Sequence, residues 1–483
     1  MSESPERRNR LNRLEAHLRE EQPVLLPLLP QFEALDRVAM AVGLFQPHQS
    51  YADLISWWPV IAVLGTFSAG KSTFINHFLD NNLQRTGIQA VDDKFTVISY
   101  SDDPDSRILP GIALDADPRF PLYRISQRLE EPAAAQRIDT YLQLKICRAE
   151  RLRGKILIDS PGFDADAQRD AVLRITHHII DQSDLVLVFF DARHPEPGAM
   201  ADTLQHLVVN TVQRADAQKF LYVLNQIDAA ANEDNPEEIV AAWQRAVAQA
   251  GLRSGPFYRI YNPAVAVPIR DPATRERFER KRDQDLAQIT ARMAQLPTDR
   301  AYRIVQLLEE KIRELENGYL PWLQEFLRRW RSRTLKYQGL GLAGLLVALV
   351  VLSLTTPVGI VLAELEAVLF GFWWLGAVTA GVLLVVLLWL HARISRLAGN
   401  RVIREITRDL REPWLRDALV AAMQRHLEGT QALLVYTRRQ PRGWTGRARR
   451  RLAAIASEAR NHVQVLNDHF TGGGEDDGKP DAG

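Results

Sequence analysis

The chain has 483 residues, with 60 lysines and arginines against 59 aspartates and glutamates, and a single cysteine. Its formal net charge of +1 excludes a uniformly basic protein, so we expect no specific nucleic-acid partner. One cysteine excludes an internal disulfide and fits a reducing compartment, while the length predicts roughly two to four structural units.

The first 50 residues are predicted to be helical. Leucines recur at helical spacing in NRLNRLEAHLREE, and Pro23, Pro27 and Pro30 then interrupt the pattern. The N-terminus lacks the apolar segment of a secretory signal peptide. Because an amphipathic helix must bury its apolar face, we expect residues 1–50 to pack on helices from later in the chain.

Residues 51–270 alternate between short apolar runs and helical stretches. This pattern predicts an α/β domain with a mostly parallel sheet and helices on both faces. The predicted strands are PVIAVL, YLQLKIC, KILID, LVLVFF and FLYVLN, with PFYRIYNP as a candidate last strand.

A phosphate-binding motif follows the first of these strands. The sequence GTFSAGKS matches G-x-x-x-x-G-K-[ST] and opens an amphipathic helix, which is the context that a P-loop requires. Backbone N–H groups of such a loop surround the phosphates, Lys71 reaches the outer phosphates, and the Ser72 hydroxyl binds Mg²⁺. The predicted nucleotide-binding residues here are Gly65, Thr66, Phe67, Ser68, Ala69, Gly70, Lys71, Ser72 and Thr73.

Two further motifs lie at predicted strand ends. Asp159 and Gly162 form D-x-x-G after KILI, where the carboxylate can hold Mg²⁺ and the glycine lets the backbone meet a γ-phosphate. Asn225, Gln226 and Asp228 form N-Q-x-D after FLYVL, where an aspartate can accept hydrogen bonds from guanine. Glutamine replaces the usual lysine there, and a simple Asn/Asp turn is the alternative reading.

The segments GTFSAGKSTFIN, DSPGFD and LNQID together resemble the GTPase domain of dynamin-superfamily proteins, especially bacterial dynamin-like ones. AVDDKFTVI and VFFDARHPEPG further resemble the EHD-type branch, and the likeness covers about residues 55–265. The resemblance implies a P-loop GTPase that uses GTP and Mg²⁺ and assembles with copies of itself. Since the EHD-type branch is associated with ATP, ATP stays open as the nucleotide.

Two positions depart from what the resemblance implies. In place of the switch threonine of EHD-type proteins, the chain has Val91 and Asp92. Thr96 is the candidate magnesium ligand there, and the candidate catalytic residues are Lys71, Ser72 and Thr96. The alternatives are a different switch, Asp92 or Asp93 beside the magnesium, and a solvated acidic turn. Phe163 follows D-x-x-G where Ras-like GTPases place a water-orienting glutamine. We therefore expect a slow basal turnover that rises on assembly.

Two uncharged apolar runs, residues 340–363 and 367–390, flank Glu364 and Glu366. Each exceeds the roughly 20 residues that cross a bilayer core, which predicts a two-helix transmembrane hairpin. A buried hairpin in a soluble core and a hairpin that enters only one leaflet are the alternatives. Aromatic residues predicted at the inner interface are Trp330, Tyr337 and Trp389.

Arginines outside both apolar runs set the predicted orientation. By the positive-inside rule, the GTPase domain and both termini face the cytoplasm, and the resemblance implies the inner cell membrane. A second basic run surrounds Trp444, and either contacts anionic lipid or forms a solvated connection between helices. Its arginines are Arg438, Arg439, Arg442, Arg447, Arg449, Arg450 and Arg451.

The predicted organisation combines a P-loop GTPase domain, an α-helical stalk bundle and the transmembrane hairpin. The predicted segments are residues 1–50 (helices on the stalk), 51–270 (GTPase domain), 271–337 (stalk helix), 338–390 (hairpin), 391–470 (stalk helices with the basic run) and 471–483 (a disordered tail). The leading function is a membrane-anchored dynamin-like GTPase that forms homo-oligomers and remodels, tethers or fuses bilayers. The alternatives are a signalling G protein that recruits a partner to the membrane and an EHD-like ATPase.

Overall fold

The computed structural model describes most of the chain between residues 4 and 472. Within that span it leaves out residues 67, 86–93, 118, 123–124, 126–137, 163–168, 194–216, 233–235, 250–255, 356–372, 411, 429–432, 434 and 437–439. The sequence predictions for Phe67, Val91, Asp92, Asp93, Phe163, Glu364, Glu366, Arg438, Arg439 and the tail beyond residue 472 lie outside the described residues.

The chain forms two compact units, which we call the sheet unit and the helical unit. The sheet unit contains residues 10–26, residues 53–304 and the chain from Leu466 onward. The helical unit contains the chain up to Asn9, residues 27–52 and residues 305–465. Residues 1–50 are thus divided between the two units.

An eight-stranded sheet forms the centre of the sheet unit. Its strands are β1 (Val60–Gly65), β2 (Phe95–Tyr100), β3 (Arg107–Pro110), β4 (Leu142–Cys147), β5 (Ile156–Asp159), β6 (Leu185–Asp191), β7 (Phe220–Asn225) and β8 (Phe257–Arg259). They lie in the order β3-β4-β2-β5-β1-β6-β7-β8. Of the seven pairings described, only β2 with β5 and β3 with β4 are antiparallel, which confirms the mostly parallel sheet.

Helices of the sheet unit surround these strands. They are α1 (Pro5–Glu21), whose first residues belong to the helical unit, α3 (Lys71–Leu79), α4 (Ile112–Ala116), α5 (Ile138–Tyr141), α6 (Arg169–Gln182), α7 (Pro236–Gln249) and most of α8 (Pro272–Arg313). The remaining helices, in the helical unit, are α2 (Leu29–Val42), α9 (Leu320–Thr355), α10 (Trp373–Asp409), α11 (Pro413–Leu427) and most of α12 (Gly446–Gly472).

Adjacent phenylalanines of β6 show that helices cover both faces of the sheet. Phe189 packs on Phe74 of α3 with ring centroids 5.1 Å apart, whereas Phe190 meets Trp243 of α7 at 5.6 Å. Successive residues of a strand point to opposite faces, so α3 and α7 lie on opposite sides of β6. This arrangement confirms the predicted helical layers.

The sequence did not predict β2 and β3. β2 is fully buried, but it follows directly on the segment read as a nucleotide-dependent switch. β3 has four residues that are mostly exposed, and it pairs only with β4 at the edge of the sheet. Neither strand therefore presents the bounded apolar run that reveals the central strands.

The end of α1 attaches to the sheet unit through polar contacts. Gln22 donates a hydrogen bond to the Gly154 carbonyl oxygen at 2.9 Å, and the Trp58 indole donates to Glu21 at 3.0 Å. In the helical unit, Arg425 of α11 donates to the Met40 carbonyl oxygen at 3.1 Å, which ties α11 to α2. These contacts place residues 10–26 and 27–52 in different units.

A six-residue π-helix, Glu314–Tyr319, joins α8 to α9. The pair α9 and α10 packs together: the buried Trp330 donates its indole N–H to the Ser395 carbonyl oxygen at 2.8 Å. Trp330 thus packs between two helices. Its position at the inner membrane interface stays a prediction. Pro413 begins α11, so the proline ends the preceding helical run as its backbone requires.

In the part of the chain that the structure describes, two helices are long and apolar enough to cross a membrane. One is the continuous helical run Pro272–Leu352, which contains α8, the π-helix and α9 as far as Leu352, and the other is Gly376–Asp409 of α10. No part of the apolar window of either is buried. A soluble core helix buries such a window, so exposure disfavours the buried-hairpin alternative.

Candidate nucleotide-binding site

Three strands bring the sequence motifs to one edge of the sheet. β1 lies between β5 and β6 in parallel register, and β7 pairs in parallel with β6. Gly65, Asp159 and Asn225 are the last residues of β1, β5 and β7. Because the carboxyl ends of parallel strands meet at one edge, the motifs converge there, as ligands do in open α/β sheets.

The P-loop backbone requires glycine at its two motif positions. Gly70 has φ +81°, and a Cβ there would overlap the side-chain amide of Asn225. A Cβ on Gly65 would overlap the carbonyl oxygen of Phe189 on β6. Ser68 also has a positive φ of 58°. The loop is therefore shaped by the strands on which it rests.

Lys71 begins α3, and its buried ammonium lies over the loop. Its Nζ donates to the carbonyl oxygens of Gly65 and Thr66, both at 2.9 Å. Ser72 and Thr73 follow in the first turn of α3 and are half-buried. The N-terminal N–H groups of α3 and the Lys71 charge therefore favour an anion at this end of the helix.

Asp159 and Thr96 lie side by side on β5 and β2. They are direct partners in the antiparallel register, so their side chains share one face of the sheet. Asp159 is buried and accepts a 2.6 Å hydrogen bond from the Gln84 amide. The Thr96 hydroxyl is also buried and accepts from Gln143 of β4 at 2.7 Å.

Sequence reasoning missed a buried polar chain that ends at Asp159. Lys145 of β4 donates to the side-chain oxygen of Gln84 and, at 3.3 Å, to the Leu83 carbonyl oxygen. Gln84 in turn donates to Asp159. The available signal was a charged residue in the apolar alternation of LQLKIC. A lysine buried there needs acceptors, and the chain supplies them.

Asn225 and Gln226 brace the P-loop from behind. The Asn225 amide donates to the Ala69 carbonyl oxygen at 2.9 Å, and the Gln226 amide donates to that of Ser68 at 2.6 Å. Both bonds join the end of β7 to the loop after β1. The Asn225 and Gln226 side-chain amides therefore hold the P-loop by two hydrogen bonds.

Asp228 is buried beside the same loop. Its Oδ2 accepts a hydrogen bond from the Val267 backbone N–H at 2.7 Å. Burial raises the pKa of the Asp228 carboxyl above its ordinary value, although the Val267 N–H acts in the opposite direction. A carboxylate that is fixed and partly desolvated is suited to accept from a base edge.

Arg193 is a second residue that the sequence reading did not single out. It forms a bidentate contact with Asp191, the last residue of β6, with its Nη2 2.7 Å from Oδ2. The same Nη2 lies 3.4 Å from the Ser68 carbonyl oxygen. The hydrogen bonds that Arg193 donates to the Asp191 carboxylate raise the pKa of Arg193. Asp191 thus fixes the Arg193 guanidinium beside the P-loop.

The donor set fits a magnesium ion of the P-loop type. Among the described residues, no group of three or more His, Cys, Asp or Glu side chains is placed to hold a metal. Mg²⁺ in nucleotide sites binds to one or two protein oxygens, to phosphates and to water, so such a group is not required. The Ser72 hydroxyl and the Asp159 carboxylate supply protein oxygens of the required kind.

Residues 61–227 match the family model described as the Dynamin family. The matched segment begins in β1, includes Asp159 and Asn225, and ends one residue before Asp228. It therefore covers the P-loop, D-x-x-G and all of N-Q-x-D except Asp228.

Curated proteins from bacteria and plants are similar over part of their length. An uncharacterized protein in the xynA 3′ region of Caldicellulosiruptor sp. (strain Rt8B.4) is 24% identical over 184 residues, which are 38% of this chain and 43% of that protein. EH domain-containing protein 1 of Arabidopsis thaliana is 25% identical over 248 residues, which are 48% of this chain and 42% of that protein. The chain thus matches less than half the length of either relative.

A solved structure is similar along nearly the whole chain. It shows an oligomerised bacterial dynamin pair, described as providing a mechanism for the long-range sensing and tethering of membranes. The similarity has a TM-score of 0.36 at 14% identity, and it covers 98% of this chain and 76% of that chain.

Proposed function

We propose that this chain is a membrane-anchored dynamin-like GTPase, because residues 61–227 match the family model described as the Dynamin family. It hydrolyses GTP to GDP and phosphate, and it couples the cycle to self-assembly and to remodelling, tethering or fusion of bilayers. The observation that carries the proposal is the convergence of Gly65, Asp159 and Asn225 at one sheet edge, in a chain that also exposes two long apolar helices.

Phosphate binding follows from the loop geometry. The N–H groups from Gly65 to Thr73 surround the phosphates, and Lys71 exchanges its bonds to the loop carbonyls for bonds to phosphate oxygens. Ser72 and Asp159 are proposed magnesium ligands. Thr96 is proposed as a third, which requires its hydroxyl to turn from Gln143. The ion, when bound, supplies positive charge between the phosphates.

Base selection is assigned to the N-Q-x-D segment. Asp228 accepts hydrogen bonds from the N–H groups of guanine. Asn225 fixes the P-loop through its hydrogen bond to the Ala69 carbonyl oxygen. Gln226 supports ATP as a second candidate substrate, because its amide is bonded to Ser68 and no lysine stem lies in that position to cover the base. GTP remains the proposed substrate because an aspartate matches the donor edge of guanine.

Turnover is proposed to depend on assembly. Phe163 follows D-x-x-G and cannot orient a water molecule, so a switch residue, the backbone or a partner subunit must do so. Contacts between copies through the GTPase domain and the helical stalk would supply that group. The expected signature is a GTP hydrolysis rate per molecule that rises with protein concentration.

The membrane arrangement is proposed from exposure and charge. The apolar parts of α9 and α10 cross the inner cell membrane, and the GTPase domain and both termini remain in the cytoplasm. Cation–π contact of Arg393 with the Trp389 ring, 5.6 Å from its centroid, supports an interfacial position for that end of the apolar segment.

The test is GTP hydrolysis by the full chain reconstituted in liposomes. Lys71→Ala should lower turnover on the order of a hundredfold or more, since it removes a cation that contacts the transferred phosphoryl group. Arg275→Ala, an exposed change on α8, is the matched control and should leave the rate unchanged. Calorimetry that detects binding of neither GTP nor ATP to the wild type would refute the proposal.

Two added measurements separate the neighbouring functions. Competition of ATP against labelled GTP decides the nucleotide, because an ATPase would prefer adenine by a measurable ratio. Light scattering of liposomes that carry the protein distinguishes bilayer remodelling from signalling. GTP-dependent clustering or tubulation of the liposomes supports remodelling. A protein that hydrolyses GTP without changing the liposomes would instead be a signalling G protein.

A further inference from the structure

A basic cleft opens on the helical unit between α9 and α10, before the exposed apolar segment of α9 and after that of α10. It comprises two adjoining hollows of about 500 and 390 Å³. The side chains that matter are those of Arg329, Arg333, Lys336, Arg401, Arg404 and Arg408. Glu405 and Asp409 are the acids that line these two hollows.

The cations that line the basic cleft outnumber the acids with which they can pair. Arg333 pairs with Glu405, and Arg408 pairs with Asp409 at 3.0 Å. Among the described residues, Lys336 and Arg404 form no ion pair, although both line the cleft. Converging cations of this kind repel one another, so an anion bound between them lowers the energy of the folded chain.

Some of these cations are already oriented. The Arg401 guanidinium lies over the Tyr337 ring, 5.2 Å from its centroid, and it donates to the phenol oxygen. A guanidinium fixed by stacking keeps its remaining N–H groups available for a bidentate contact with phosphate. The cleft is polar and open, so it suits a charged headgroup better than an apolar ligand.

The position of Lys336 along α9 indicates that an anion in the basic cleft would come from a lipid headgroup. Lys336 precedes Leu340, the first residue of the uncharged apolar run 340–363, by four residues, which is about 6 Å along a helix axis. The polar layer on each side of a bilayer core is about 5–8 Å thick. The near end of the cleft therefore lies at headgroup depth if the apolar segments are in the membrane.

We propose that the basic cleft binds the headgroup phosphate of an anionic phospholipid. The inference rests on the proposed membrane insertion, and it goes beyond it by naming a site and a lipid class. Lys336 and Arg404 would provide the unpaired charge, and Arg401 a pre-oriented guanidinium. The site is distinct from the C-terminal basic run, of which the structure describes Arg442, Arg447 and Arg449–Arg451.

The test measures thermal unfolding of the full chain in a neutral detergent. The probes are short-chain phosphatidylglycerol, phosphatidylcholine of the same chain length, and inorganic phosphate. Phosphatidylglycerol should raise the unfolding temperature at a concentration where the other two do not. In the variant Lys336→Gln/Arg404→Gln its apparent affinity should fall on the order of tenfold.

The double variant Arg270→Gln/Arg275→Gln is the matched control. It removes the same charge from exposed positions, one just before α8 and one within it, and it should keep the wild-type response. An equal loss in both variants, or an equal response to both lipids, would overturn the headgroup site. An equal response to inorganic phosphate would show that free phosphate is the ligand and would overturn the lipid assignment.

Alkaline extraction of membranes that contain the protein tests insertion separately. If the protein is extracted into the aqueous fraction, the proposed membrane function fails and the cleft proposal fails with it. If the protein stays in the membrane but phosphatidylglycerol has no effect in detergent, only the cleft proposal fails. The two experiments together therefore distinguish the failures.

Discussion

Two arginines of α8 contact the same buried carboxylate and should differ sharply in their contribution to stability. Arg300 and Arg303 both pair with Asp184, whose other oxygen accepts from the Val60 backbone N–H at 2.9 Å. The Arg300 side chain is 9% exposed, whereas that of Arg303 is 48% exposed. Arg300 also donates to the Ser56 carbonyl oxygen at 2.6 Å.

The expected loss in the free energy of unfolding follows from how deeply each arginine is buried. Arg300→Met leaves the Ser56 carbonyl oxygen without its donor and removes the buried partner of Asp184, which should cost about 3–5 kcal/mol in the free energy of unfolding. Arg303→Met removes a solvated partner of the same carboxylate, and should cost about 0–1 kcal/mol. The two variants are matched in residue type, helix and partner.

Hydrogen exchange read by mass spectrometry is the assay, because it reports the stability of the sheet unit separately from that of the helical unit. Peptides that contain Val60, at the start of β1, should exchange faster by roughly a hundredfold or more in Arg300→Met, and by less than about fivefold in Arg303→Met. Equal protection in the two variants would refute the reasoning that burial, rather than the ion pair itself, decides the cost.

Three further predictions concern the P-loop, the magnesium site and pH. Asn225→Ala removes the amide that donates to the Ala69 carbonyl oxygen, so the affinity for nucleotide should fall about tenfold. Calorimetry measures that affinity, and an unchanged value would contradict the bracing role of Asn225. Gln84→Ala removes the hydrogen bond to Asp159, and should raise the Mg²⁺ concentration needed for half-maximal hydrolysis while nucleotide binding in EDTA stays unchanged; an equal loss in both would indicate a general defect. Burial raises the pKa of Asp36 to about 6. The folded chain therefore holds this proton more tightly than the unfolded chain, and the contribution of Asp36 to stability should fall by up to about 3 kcal/mol as pH rises from about 4 to about 6. Thermal unfolding of Asp36→Asn should lack that part of the pH dependence, and the same slope in both proteins would contradict the assignment.

The sequence reveals most of the sheet because central parallel strands are continuous apolar runs. β1, β4, β5, β6 and β7 were predicted from their residues, and β8 was a candidate. β2 and β3 were not, since a strand beside a switch segment and a short exposed edge strand have no such pattern. Their place in the sheet is set by pairing with β4 and β5.

The residues of the candidate site divide in the same way. The sequence by itself determined the P-loop, D-x-x-G and N-Q-x-D motifs, because each needs contiguous residues with particular backbone freedom or side-chain chemistry. It also determined the two apolar runs, since their length and lack of charge are local properties. Only the tertiary structure placed Thr96 opposite Asp159 and joined Lys145 through Gln84 to that carboxylate. Only it set Arg193 beside Ser68 and buried Trp330 on α10. These contacts join residues from 61 to 125 positions apart in the chain. Such contacts depend on which elements become neighbours, and no local pattern encodes that choice.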